Sequence, residues 1–140
     1  MTSEIDRSII GEEFDHTVFE PVRREDIIEY IAASGETPLP ANQGAELLAP
    51  PTFVLRLRGH RFMPANLPKD IIRSGFDAGK DIEFGVPVRV GDVLTALSTI
   101  HDIYEKTGRS GTMKFLVLRT LITNQREQQV AVIDQKMMFR

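Results

Sequence analysis

The chain has no cysteine, no tryptophan and only three histidines. Without thiols there are no disulfides, no thiolate nucleophile and no cysteine-ligated zinc. Positive charge is not in surplus either: 17 Lys and Arg stand against 20 Asp and Glu, a net charge of −3. That balance argues against a partner recognised through nucleic-acid phosphates, which calls for a basic excess. No apolar run approaches the roughly 20 residues that a helix needs to cross a bilayer. The opening Met1-Thr2-Ser3-Glu4-Ile5-Asp6 is acidic and polar, whereas a signal peptide begins basic and turns apolar. Internal repeats and low-complexity tracts are missing as well.

What is present is 140 residues with 41% hydrophobic and 26% charged content, too apolar for a disordered chain. This is the size of one compact domain, so we expect a single soluble, cytoplasmic domain over residues 1–140.

Ile27, Ile28 and Ile31 fall on one stripe at helical spacing, with Arg23, Arg24, Glu25 and Glu29 around the rest of the surface. The spacing predicts an amphipathic helix over Val22 to Ser34, closed by Gly35 where a C-cap favours φ > 0. Pro38, Pro40, Pro50 and Pro51 then forbid regular helix, and a loop is expected from Glu36 to Pro51. A short apolar stretch, Thr52-Phe53-Val54-Leu55, precedes a second irregular segment with Pro64 and Pro68 that runs to about Gly79.

The second half reads as strands. Lys80 to Phe84 alternates, Val93 to Tyr104 is rich in β-branched residues, and Met113 to Thr123 is almost continuously apolar. Such a run suits a central strand covered on both faces. Val130 to Phe139 makes a last strand, and Lys106 to Gly111 supplies hairpin turn residues. One helix packed on consecutive antiparallel strands is an α+β architecture.

Most candidate motifs are weak. Gly75 to Lys80 faintly suggests a phosphate loop, but Asp81 stands where Ser or Thr should hold magnesium, and a tight turn entering a strand is the simpler reading. His16, His60 and His101 lie far apart without ligand spacing, so no metal site is expected. Seven cations, from Arg56 through Arg58, Arg61, Lys69, Arg73 and Lys80 to Arg89, face four acids over the same stretch. This local excess could meet a phosphorylated ligand such as coenzyme A, with Arg73, Lys80 and Arg89 as candidates, or form a solvated surface.

The run Pro87 to Thr95, followed by Asp102 to Lys106, Gly108 to Gly111 and Thr123-Asn124-Gln125, resembles the MaoC-like dehydratase family. More narrowly it is similar to the amino-terminal half of (R)-specific enoyl-CoA hydratases and 3-hydroxyacyl dehydratases. Ser8 to Gly11, Ala49 to Phe53 and Phe76 to Phe84 agree with it, so the likeness spans nearly the whole chain. It implies a hotdog fold, a long central helix wrapped by a curved antiparallel sheet, and pairing with a second hotdog, as homodimer or heterodimer. It also implies an acyl thioester substrate whose coenzyme A or phosphopantetheine arm enters from outside, with no further cofactor. By the same resemblance, Asp77 and Gly79 would border the pantetheine entrance.

The family's reaction uses an Asp and a His in a Gly-Asp-x-Asn-Pro-x-His loop, which hold a water and move protons across the enoyl double bond. Here the loop is Gly35-Glu36-Thr37-Pro38-Leu39-Pro40, one residue shorter. Glu36 stands at the Asp position and Pro40, which transfers no proton, at the His position. The expectation is therefore the non-catalytic, tunnel-forming half of a two-subunit hydratase. Two alternatives stay open: a homodimeric thioesterase with Glu36 as base, and an acyl-CoA-binding homodimer without turnover.

Overall fold

A computed structural model describes residues 4–35 and 47–140. Glu36 and Pro40, with residues 36–46 of the loop predicted to run to Pro51, lie outside the described residues. A 3-10 turn at Arg7–Ile9 leads into strand β1 (Glu13–Val18) and helix α1 (Arg24–Ala33). After a second 3-10 helix, Pro51–Arg56, come helix α2 (Lys69–Ser74) and strands β2 (Phe76–Phe84), β3 (Thr95–Gly108), β4 (Gly111–Thr123) and β5 (Gln129–Phe139). The strands form one sheet in the order β1-β3-β4-β5-β2, every neighbouring pair antiparallel.

Local chemistry explains most boundaries. Asp26 and Glu25 sit in the first turn of α1, where the helix dipole favours negative charge, and Asp26 accepts the Arg23 backbone N–H at 3.3 Å. The helix stops at Gly35, which takes φ +80° as expected. Ile27 and Ile31 are buried, but Ile28 is 39% exposed: one residue is about 100° of helical rotation, which carries it off the stripe. The apolar run of β4 indeed takes the central place, with Leu116, Leu118 and Val117 buried on its two faces. Gly108 pairs with Gly111 across the β3–β4 hairpin.

Two expectations are corrected. The segment containing Pro68 is not irregular throughout, because Pro68 caps helix α2 and Ile71 within it is completely buried. Nor does Gly75 to Lys80 form a turn before a strand. From Phe76 it is already β2, interrupted by a bulge in which Gly79, at φ +117°, donates its N–H to Asp77 Oδ1 at 2.8 Å.

The inner sheet face is covered in two places. At one end α1 and the Pro51–Arg56 helix bring Ile27, Ile31, Phe53 and Val54 into a cluster with Ala96, Ile122 and Ala131. At the other end α2 contributes Ile71 to a cluster with Ile100, Leu116, Leu118 and Phe139. Ser98 and Thr120, paired across β3 and β4 between these ends, belong to neither cluster.

The segment after the Pro51–Arg56 helix is tied down by β1. Buried Asp15 accepts the Arg61 backbone N–H at 3.0 Å and the Thr17 hydroxyl at 2.8 Å, while Thr17 Oγ1 accepts the His60 N–H at 3.1 Å. Gly59 lies so close that a Cβ there would collide with Asp15 Oδ2. Gly59→Ala is therefore expected to break this latch and lower stability by about 2 kcal/mol, the range for a disrupted buried hydrogen-bond network. Gly108→Ala, which meets nothing, is the control in the same urea titration.

On the opposite sheet face Arg119 donates two hydrogen bonds to Asp134, each 2.8 Å. Those bonds hold the Asp134 carboxyl below the ordinary carboxylate range, against the opposing effect of burial. A depressed folded-state pKa stabilises the fold above the unfolded value and ceases to do so as pH falls through the folded value. Asp134→Asn should thus cost about 1 kcal/mol at neutral pH, and the difference should shrink in urea unfolding repeated below about pH 3.9.

Candidate functional site

Between the two clusters the inner sheet face is left uncovered by helix, and there lies a cavity of about 240 Å³. Its floor is the sheet itself, including Ala96, Ser98, Leu118, Thr120 and Ile133. Its roof is the segment from Val54 to Met63, which the Asp15 latch holds in place, and Phe14 of β1 closes one side. The walls are mostly apolar, so an aliphatic chain is the ligand chemistry they suit best.

Charge enters only at the rim. Among the described residues Arg58, Arg61 and Lys80 line the cavity, and no Asp, Glu or His does. Positive charge around an apolar mouth attracts a ligand whose body is greasy and whose outer end is anionic. Phe62, 78% exposed, stands in the same roof segment.

Of the residues singled out in the sequence, Lys80 lies at this cavity. Asp77 and Gly79 are its neighbours on β2, and Gln135 Nε2 donates to Asp77 Oδ1 at 2.7 Å and Gly79 O at 3.3 Å. The Gly79 N–H, followed by Gln135, lowers the Asp77 carboxyl pKa. Arg73 lies on α2 before the start of β2, whereas Arg89 follows its end, its backbone N–H bonded to Asp92 Oδ2 at 2.8 Å. A nine-residue strand is about 30 Å long, so these two cations flank its ends and do not share one pocket with Lys80.

All three histidines are exposed: His16 on β1, His60 in the latched loop and His101 at a bulge of β3. None lines the cavity. Among the described residues no group of three or more His, Asp or Glu could hold a metal ion, and no helix is long and apolar enough to cross a membrane. The site features not anticipated from the sequence are Asp15, Ser98 and Thr120. Their one available signal was a polar residue at an inward position of an otherwise apolar strand face.

A protein-family model described as FAS1-like, dehydratase domain region, matches residues 8–133. No curated protein sequence matches. Among solved structures, the MaoC-like dehydratase from Rhodospirillum rubrum is similar at TM-score 0.66 and 19% identity, over 93% of this chain and 91% of that one. The HadBC (3R-hydroxyacyl-ACP dehydratase) complex from Mycobacterium tuberculosis is similar at TM-score 0.65 and 26% identity, over 93% and 96%. The ChsH1-ChsH2 complex from Mycobacterium tuberculosis gives TM-score 0.69 and 15% identity, over 91% and 83%. The helix on an antiparallel five-stranded sheet, the family match and these neighbours agree: the chain belongs to the FAS1-like dehydratase family and is a MaoC-like hotdog domain.

Proposed function

We propose that this chain is one subunit of an acyl-thioester hydratase/dehydratase, of enoyl-CoA hydratase or (3R)-hydroxyacyl dehydratase type, and forms the acyl tunnel without supplying the acid/base pair. The observation that supports this reading is an apolar cavity that, among the described residues, is lined by no carboxylate and no imidazole, in a chain whose three histidines are all exposed. Hydration needs a base to take a proton from water, addition of the oxygen at C3, and return of a proton at C2. An Asp and His on a second hotdog subunit do this work, while the present chain holds the acyl group beside them. The thioester arm, coenzyme A or phosphopantetheine, belongs to the substrate and no separate cofactor takes part. Its phosphates meet the rim cations Arg58, Arg61 and Lys80, while Arg73, on α2, and Arg89, past the end of β2, lie beyond the two ends of that strand.

Size supports a shared site. The cavity of about 240 Å³ is below the roughly 300 Å³ at which pockets for drug-sized ligands begin. The β2 edge supports it too. This strand ends the sheet, eight of its nine residues are exposed, and its outer backbone groups are open to another strand. Phe76 and Phe84, 59% and 46% exposed, mark its two ends. HadBC and ChsH1-ChsH2, both similar in fold, are complexes.

Hydration of an enoyl-CoA panel, followed spectrophotometrically, tests the assignment. The purified chain alone should show no turnover, and a hotdog partner bearing the Asp and His should restore it. Turnover by the chain alone that vanishes in Glu36→Gln would make Glu36 the working base and overturn the reading. Silence even with the partner would make the protein a binder. The β2 contact is tested by Phe76→Glu combined with Phe84→Glu. Light scattering should show assembly weakened at least tenfold, about 1.4 kcal/mol, with the circular dichroism of the folded chain unchanged.

A further inference from the structure

We propose that Ser98 and Thr120 form a polar anchor that selects acyl chains carrying an oxygen function along their length, over plain alkyl chains. The inference rests on the acyl-thioester reading above and names the substrate class of the same cavity.

Ser98 on β3 and Thr120 on β4 stand directly opposite in the antiparallel register. Their hydroxyl oxygens are 3.0 Å apart, and Ser98 is only 7% exposed. Both line the cavity, with Ala96 and Ile122 on the row before and Leu118 on the row after. On each strand a hydroxyl thus breaks an apolar stripe, and both breaks fall on the same row. A cavity meant for saturated alkyl chain alone has no use for them.

Hydrogen-bond inventory shows what the pair offers. Two hydroxyls carry two O–H donors and four lone pairs. Their mutual bond uses one donor and one lone pair, and no other protein partner of either hydroxyl occurs among the described residues. One O–H and three lone pairs are left for whatever occupies the cavity. The neighbouring amide of Gln135 has its Nε2 engaged with Asp77 Oδ1 and the Gly79 and Lys136 carbonyls. An alkyl chain lying over the pair would strip the surplus O–H of water and give nothing back. A chain with a keto or hydroxyl oxygen at that depth accepts the O–H, and a hydroxyl can also donate to a lone pair. A site built around such a group discriminates strongly against the analogue lacking it.

The probes are octanoyl-CoA and its 5-, 6- and 7-hydroxy and oxo derivatives, titrated calorimetrically into the chain in complex with a hotdog partner bearing the Asp and His. All share the coenzyme A arm, so differences report the acyl chain. At least one oxygenated chain should bind about tenfold more tightly than octanoyl-CoA. Ser98→Ala with Thr120→Val should abolish that preference, and Thr120→Ser, which keeps the hydroxyl, should retain it. If the pair merely stabilises the sheet, melting temperature falls in the double variant while the preference is the same as in wild type, and the proposal is overturned. Equal binding of all chains by wild type, as when a bound water satisfies the O–H, overturns it as well. Failure of every acyl-CoA to bind overturns the acyl-thioester reading itself, and this proposal with it.

Discussion

Ten helical residues advance about 15 Å, whereas the thirteen- and fourteen-residue strands β4 and β3 extend for about 45 Å. Helix α1 cannot cover the sheet face it packs on, and the remaining structure answers that mismatch. The Pro51–Arg56 helix extends the cover at one end, and α2 with the amino-terminal turn supplies a second cover at the other. The cavity is the interval between two partial cores. Its position therefore follows from element lengths, and its chemistry from whichever residues happen to face inward there.

The same arrangement separates stability from recognition. Ile27, Ile31, Ile71, Leu116 and Phe139 are buried within the clusters, where losing a side chain leaves a void. Ser98, Thr120 and the rim cations lie outside those clusters, so changes to them alter what the site prefers more than whether the chain folds. The two sheet edges differ as well. β1 is engaged by the latch through Asp15 and Thr17, while β2 turns a nearly fully exposed strand outward.

The elements legible in the sequence were those set by local chemistry. The almost continuously apolar run of Met113 to Thr123 pointed to an interior strand, Gly108 to Gly111 to a chain reversal, and Gly35 supplied the φ > 0 that ends α1. Helix α2 escaped notice because six residues are too short for a periodicity, and Pro68 reads as a breaker although proline is welcome where a helix begins. The start of β2 was hidden by Gly79, whose bulge looks like a turn when only neighbours in sequence are compared. The site was the least legible part. Ser98 meets Thr120 across 22 positions, and Asp15 meets Arg61 across 46, so no local window contains either pair. The family resemblance pointed to an acid/base loop at Glu36 to Pro40, which lies outside the described residues, and gave no hint of the cavity floor.

The latch has a kinetic meaning. Because the roof segment hangs from Asp15 and Thr17, its freedom is not that of an ordinary surface loop; it is coupled to β1, the strand that borders β3 at the sheet edge among the described residues. An outermost strand is the first part of a sheet to fray, in openings far smaller than global unfolding. Each such opening removes the acceptors that hold Arg61 and His60 and frees the roof with it. Fraying of β1, a six-residue strand on the far side of the sheet from the exposed β2 edge, would thus loosen the cavity's roof as well.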